Sequence, residues 1–188
     1  MASVEEERSA ELDAEAHARR QLAFAQIRQY ADPVLRMRAH EVEVFDDDLA
    51  RLADRMMRLL HDANGAGLAA NQVGVLRRVF VFQNGEEVMA LVNPRIVGES
   101  DEREVDTEGC LSLASVRVPV ERALGVSVEA RDPAGADVRL ELEGFPARVV
   151  QHEVDHLDGV LMLDRTEPAS RRAALAELRP RAVISSRG

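Results

Sequence analysis

The amino-acid sequence predicts an α+β fold, with antiparallel β-sheets packed around a central α-helix, N-terminal helices ahead of them and a short C-terminal helix behind. Three observations carry this expectation. Leu124, Val126, Val128 and Ala130 alternate on one face of a strand and Val138, Leu140 and Leu142 on one face of the next, with Asp132-Pro133-Ala134-Gly135 turning between them. Phe45, Leu49, Leu52, Met56, Leu59 and Ala63 recur at alternating steps of four and three, the period of an amphipathic helix. A further helix is bracketed by Pro146, suited to a first turn, and by Gly159, a stop, with Val149, Val150, Val154 and Leu157 as its apolar surface. Tight-turned strands packed around such helices make an α+β domain.

Each element follows from local chemistry. Residues 5–24 are rich in Ala, Glu and Arg and read as a helix, with apolar content thin enough to leave it partly disordered in solution. The helix from Phe45 to Ala63 has Asp46 and Asp47 at its positive N-terminal end. Between helix and strand, Gly65 and Gly67 would allow the backbone to come close to another extended segment and pair with it in strand fashion, the plainer alternative being a simple loop. Val79-Phe80-Val81-Phe82 and Val88 to Val92 flank Asn84-Gly85, the signature of a hairpin. Pro168-Ala169-Ser170 opens a short helical pattern containing Arg171, Arg172, Leu175, Leu178 and Arg179, which Pro180 interrupts.

Composition narrows the class. At 188 residues and 46% hydrophobic, the chain is long enough to bury one substantial core. No apolar run approaches the roughly 20 residues that span a bilayer, so no membrane partner is expected. The start, Met1 to Arg8, is acidic and lacks an apolar core, unlike a secretory signal or an organelle transit peptide. A single cysteine, expected to be reduced, fits a cytoplasmic protein. A net charge of -10 argues against a general nucleic-acid binder, DNA included. All 24 basic residues are arginine, so no lysine chemistry is available.

The chemistry concentrates in Gln151-His152-Glu153-Val154-Asp155-His156-Leu157-Asp158-Gly159. Histidines four residues apart project from one helix face and can share a metal ion. Glu153 beside them can hold a water on that ion and take its proton, as in HExxH hydrolases. The alternative is two buried histidines on an ordinary helix. A third histidine ligand is excluded because Met162 occupies its position, and Glu167 and Glu177 sit in a charged tail of no distinct pattern. Cys110, in Glu108-Gly109-Cys110-Leu111-Ser112, is the better candidate: its thiolate completes a Cys-His-His set with a fourth position open to water. A lone cysteine is otherwise a small buried hydrophobe.

A third segment, Gly65-Ala66-Gly67-Leu68-Ala69-Ala70-Asn71-Gln72, joins these two in order, and together they resemble the peptide deformylase family with its motifs GxGLAAxQ, EGCLS and QHExDHLxG. The resemblance runs from about Ile27 to about Leu163. It implies a catalytic domain over residues 25–167, an N-terminal helical or partly disordered extension over 1–24, and a C-terminal helix and tail over 168–188. It implies a metal-dependent hydrolase that removes formyl from the N-terminal methionine of new polypeptides. Cys110, His152 and His156 would hold the metal, with Glu153 as general acid and base. The side-chain amide of Gln72 and the backbone N–H of Leu111 would stabilise the oxyanion. Gly65, Ala66, Gly67, Gly109 and Arg117 would meet the substrate. Gln72 read without its motif is better taken as a structural amide closing a turn, and Arg117 and Arg122 could brace the sheet. Asp155 and Asp158, flanking the second ligand, could orient a metal-bound imidazole or simply be solvated.

The family's ion is expected to be Fe2+, with Ni2+, Co2+ or Zn2+ as substitutes. The expected partners are nascent formyl-Met polypeptides and, through the arginine-bearing C-terminal helix, the ribosome, with the enzyme a monomer. Two other classes stand beside this: a metallopeptidase or small-amide deacylase, and an inactive relative that binds formylated chains or the ribosome. The chain departs from the common pattern at Ala66, smaller than the usual Val or Ile, and at Ala114 and Ser115, where Pro commonly follows an apolar residue. The first predicts looser contact with the substrate side chain, the second a less rigid loop at the cleft.

Overall fold

The computed structural model describes residues 2–114 and 116–178, with side chains from residue 13 onward. Ser115, Arg179 and Pro180, named above, lie outside the described residues. Helix α1 (Ala2–Phe24) starts earlier than the composition suggested and runs on without a break. After a 3-10 turn at Pro33–Arg36 comes α2 (Asp47–Ala63), N-capped by the Asp46 carboxylate, which accepts from the Leu49 N–H at 3.0 Å. Asn64 ends α2 in the left-handed region. Leu49, Met56 and Ala63 from the periodic pattern are buried.

The segment between helix and strand is not a simple loop but contains a strand. β1 (Gly67–Ala69) pairs antiparallel with β2 (Val79–Asn84), because three small or apolar residues flanked by glycine can lie flat against the sheet. β2 continues through the expected Asn84-Gly85 turn into β3 (Glu87–Glu99), which is far longer than its apolar half. β4 (Arg103–Gly109) and β5 (Arg117–Ala123) form a separate two-stranded antiparallel hairpin, which the sequence pattern had not disclosed. β6 (Gly125–Arg131) and β7 (Asp137–Glu143) are the two alternating strands, paired as expected around the Asp132–Gly135 turn. The larger sheet has the order β1-β2-β3-β6-β7, so β1 is an edge strand. The chain ends its described part with α3 (Gly144–Leu157), the short α4 (Met162–Arg165) and α5 (Pro168–Leu178).

β2 explains the layering. Its run Val79-Phe80-Val81-Phe82 is buried throughout, because successive side chains point to opposite faces and both faces are covered. Val79 and Val81 join Leu49, Met56 and Leu60 of α2 in one apolar cluster. Phe80 and Phe82 join Ala147, Val150 and Leu157 of α3 in another. A third cluster unites Val118 and Val120 of β5 with Met162 and Leu163 of α4 and Ala174 of α5. Helix α3 is thus central, pressed between the sheet and the β4–β5 hairpin.

Candidate metal centre and catalytic cleft

Helix α3 brings the two histidines to one point. Pro146 lies in its first turn, as expected, and Asp158 caps its C-terminal end, its N–H reaching the carbonyls of Val154 and Asp155. Gly159 then takes φ 74°, where a side chain would be strained and would also run into the Arg36 carbonyl. The β4–β5 hairpin delivers the third donor: Gly109 pairs with Arg117, and Cys110 follows at the mouth of the hairpin, just before a 3-10 turn at Leu111–Leu113.

Cys110 Sγ lies 3.2 Å from His156 Nε2, and His156 Nε2 lies 3.2 Å from His152 Nε2. The three donor atoms all fall within 4.8 Å of one another. Donor–metal bonds of about 2.0 to 2.3 Å in a tetrahedron separate the donors by about 3.3 to 3.6 Å, so the set fits a single ion. Charge supports the fit. Burial would lower the His152 pKa, but hydrogen bonds to Cys110 and Glu108 outweigh it and raise it well above the ordinary value. The same anions favour a divalent cation, whose binding displaces that proton. Burial, followed by the charges of His152 and Arg122, holds His156 well below its ordinary pKa, which leaves the neutral lone pair that a metal ligand needs.

The group that orients His152 is Glu108. Its carboxylate lies 2.9 Å from His152 Nδ1, which turns Nε2 toward the other donors. Burial alone would raise the Glu108 pKa, but hydrogen bonds from His152 and Arg122 bring it down to about 2. Glu108 also receives Arg122 Nε at 2.9 Å and Arg148 Nη1 at 3.1 Å. Arg122 goes on to Asp155 at 2.6 Å, and Arg165 binds Asp155 from the other side at 2.6 Å. Asp155 and Asp158 therefore do not touch an imidazole: Asp158 pairs with Arg78 at 2.7 Å. Arg122 is a buried brace, while Arg117 is exposed at the cleft.

Glu153 is buried, and its Oε2 has no hydrogen-bond partner among the described residues. Burial, the largest effect, pushes its pKa up to about 7. The backbone of β1 presses directly on it, for a Cβ at Gly67 would overlap the Glu153 carboxylate. Gln72 closes a turn and turns its amide nitrogen toward the donor set. Its Oε1 accepts from the Ala69 N–H at 2.8 Å and closes the turn, while its Nε2 donates to Ser112 Oγ at 3.1 Å and stands 3.6 Å from Cys110 Sγ.

Gln72, Glu108, Cys110, His152 and Glu153 line one cleft of about 340 Å³, while His156 is not on its lining. Gly65, Ala66 and Gly67 line one wall, and Gly109, Leu111 and Arg117 are also on its lining, so the expected site residues converge. Ala114 is on the lining too, at the loop expected to be less rigid. Among the contributors not foreseen are Phe145, 62% exposed at the start of α3, and the end of α1, through Arg20 and Phe24. A second cleft of about 500 Å³ opens on the other side of α3, where Arg78, Arg122 and Arg165 meet Asp155 and Asp158. Those charges are paired with one another, and the donor set is not there.

Comparison with known proteins agrees with the geometry. Residues 24–172 match the family model of polypeptide deformylase. The chain is 47% identical over 145 residues to a peptide deformylase of Thermotoga neapolitana, covering 77% of this chain and 88% of that one. It is 43% identical over 162 residues to peptide deformylase 1 of Corynebacterium glutamicum, covering 84% and 96%. The crystal structure of peptide deformylase from Thermotoga maritima is similar in fold, with a TM-score of 0.74 at 45% identity, covering 76% of this chain and 97% of that one.

Proposed function

The chain belongs to the polypeptide deformylase family, and we propose from its cleft how it carries out that family's work, the metal-dependent removal of the formyl group from nascent polypeptides. The observation that carries the reading is the buried carboxylate of Glu153, its Oε2 without a partner among the described residues, on the same cleft lining as Cys110 and His152, which with His156 form the donor cluster. Those three donors would hold the metal, which would supply a Lewis acid that makes water nucleophilic and polarises the formamide carbonyl. We take the ion to be Fe2+, with Ni2+, Co2+ or Zn2+ able to replace it, since a thiolate with two imidazoles suits several of these.

Glu153 takes a proton from the attacking water at its free oxygen and delivers it to the departing amine. Its raised pKa supports this, because a carboxyl poised near 7 can both accept and return a proton. Gln72 Nε2 and the Leu111 N–H donate to the oxyanion. Gln72 has one amide hydrogen engaged by Ser112 and the other turned toward Cys110, and Leu111 opens a 3-10 turn, where backbone N–H groups have no partner within the turn. The free edge of β1 receives the substrate as an added strand, with Gly65, Ala66 and Gly67 on one wall and Gly109 and Arg117 across from them.

We take the enzyme to meet nascent formylated chains in the cytoplasm, and to do so as a monomer. Among the described residues no helix is long and apolar enough to cross a membrane. Helix α5 is our candidate ribosome contact: Ala174 is buried against the domain while Arg171 and Arg172 face outward. Sedimentation with ribosomes should fall steeply with salt and weaken for Arg172→Glu. Salt-independent binding equal for both forms would remove α5 from that role. The decisive experiment for the chemistry is formate release by anaerobically purified protein from a formyl-Met peptide, beside its acetylated analogue and a peptide cleavable only internally. Release from the formyl peptide alone is expected. Equal hydrolysis of the acetyl or internal bond would overturn the assignment.

A further inference from the structure

The cleft has a wall that begins ahead of the family match. Arg20 precedes the matched residues 24–172 and Phe24 is the first of them, yet both line the catalytic cleft. The Arg20 guanidinium lies 5.5 Å from the centre of the Phe24 ring, so an aromatic face supports the cation there. The turn is fixed to the body. Ala23 and Ile27 are buried among Leu49, Met56 and Leu60, and the Arg28 N–H donates to the Gln72 carbonyl at 2.7 Å.

Direction along the cleft follows from β1. A peptide laid on the β1 edge with its formyl group at Glu153 has its reactive end beside Gly67, where backbone and carboxylate meet. At about 3.3 Å per residue, its following residues pass Ala66 and Gly65. Gly65 abuts the Leu111 side chain, and Leu111 and Phe24 pack on the same apolar cluster, so this wall continues to the end of α1. Charge in that outer part is positive. Among the described residues neither Arg20 nor Arg117 forms an ion pair, whereas Glu108 is taken up by Arg122, Arg148 and His152. Of the other acids on the lining, Glu153 stands at the reactive end and Asp106 remains, against the two unpaired arginines.

We propose that the last turn of α1 is a specificity element, in which Arg20 supported on Phe24 selects formyl-Met substrates that carry an acidic side chain one or two residues after the methionine. This rests on the deformylase reading of the cleft. It makes the N-terminal helix part of the substrate site and sets a net attraction for acidic chain starts within a protein whose overall charge is -10.

The test compares formyl-Met-Ala-Glu-Ser, formyl-Met-Ala-Lys-Ser and formyl-Met-Ala-Gln-Ser with the full-length metal-loaded enzyme, the last peptide being the reference. Wild type should favour the Glu peptide over the Lys peptide by about two- to five-fold, through KM and not kcat, as one partly exposed ion pair allows. Arg20→Gln should reduce the ratio and Arg20→Glu should invert it, and added salt should shrink the wild-type ratio. Equal ratios in all three proteins, or no acidic preference in wild type, overturn the proposal. Direct binding of the same peptides gives the ratio independently of turnover. Failure of all three formyl peptides to react would therefore strike the deformylase reading, while the binding ratio still decides the role of Arg20.

Discussion

Ten of the fourteen residues of α3 are buried, whereas in α1 only Ala23 is buried among the side chains described from residue 13 to 24. The two helices differ as much in sequence. α1 is made of strong helix formers, Ala, Glu and Arg, while α3 opens on Gly-Phe-Pro and carries β-branched Val149, Val150 and Val154, which lose rotamer freedom in a helix. Helix α3 exists because the sheet and the hairpin bury it, and α1 because its residues favour the conformation, with one docked turn at its end. Burial fixes side chains to fractions of an ångström, as a metal centre requires. A helix tethered at one turn can only shape an entrance. Substitutions on α3 and its supports should therefore be severe, and those on α1 graded.

The largest effect is expected at Glu153. Glu153→Ala should keep its metal, since all three ligands remain, and lose about 10²- to 10⁴-fold in turnover, the usual worth of a general acid–base group. Metal analysis and formate release on one preparation check both halves. Turnover within a few-fold of wild type would remove Glu153 from the proton path.

Next is Glu108, which supports α3 from outside it. Glu108→Ala frees the His152 ring and leaves Arg122 and Arg148 buried without their shared carboxylate. Metal affinity should fall about 10- to 100-fold, read by competition with a chelator. Folding should lose about 3 to 5 kcal/mol from the unpaired charges, read by urea titration of both proteins. A variant with normal affinity and stability would mean that the network is ornamental to the site.

Much of this contrast was legible in the sequence, and the parts that were not share a cause. The helix α2 and the strands β6 and β7 announced themselves because each has one apolar face and one wet one. The hairpin carrying Cys110 did not: β4 has a single large apolar residue, Val105, which is 61% exposed, and its one buried side chain is Glu108. A strand whose buried position is charged defeats any reading based on alternating hydrophobicity. The orienting carboxylate was missed for a related reason. Asp155 and Asp158 are near His156 in the chain, but adjacent helical residues point about 100° apart, and the group that reaches His152 comes from 44 residues away. The candidate donor cluster was legible because two of its members are brought together by helix spacing alone. The contribution of α1 was not, since nothing in its composition says what its last turn will meet.

The comparison sharpens with matched leucines. Leu157 in α3 is fully buried, and Leu22 in α1 is 67% exposed. Leu157→Ala should cost about 2 to 5 kcal/mol, from lost transfer energy and the cavity left between helix and sheet. Leu22→Ala should stay within about 0.5 kcal/mol, as exposed substitutions do. Urea midpoints at constant slope measure both, and similar losses would mean that α1 packs more of its length than its exposure shows.

The smallest effect belongs to α5, which lies between the two extremes with Ala174 as its one buried residue. Asp164 helps hold it, pairing with Arg36 and with Arg171 of α5 at 3.4 Å and accepting from the Leu161 N–H at 2.9 Å. Burial raises the Asp164 pKa, but the hydrogen bonds from Arg36 and Leu161 outweigh it, and the net shift is downward. A carboxylate with a lower pKa in the folded state adds stability that is fully present above its unfolded value, and that stability is lost as the pH falls through the folded value. Wild type should therefore lose part of its stability on the acid side of the ordinary Asp range. Asp164→Asn should be slightly less stable at neutral pH and converge with wild type at low pH. Thermal unfolding from pH 7 down to pH 3 reads the difference. A gap between the two proteins that stays constant across that range would show that Asp164 acts by packing or neutral hydrogen bonding, and α5 would then be held in the manner of α3 and not by charge.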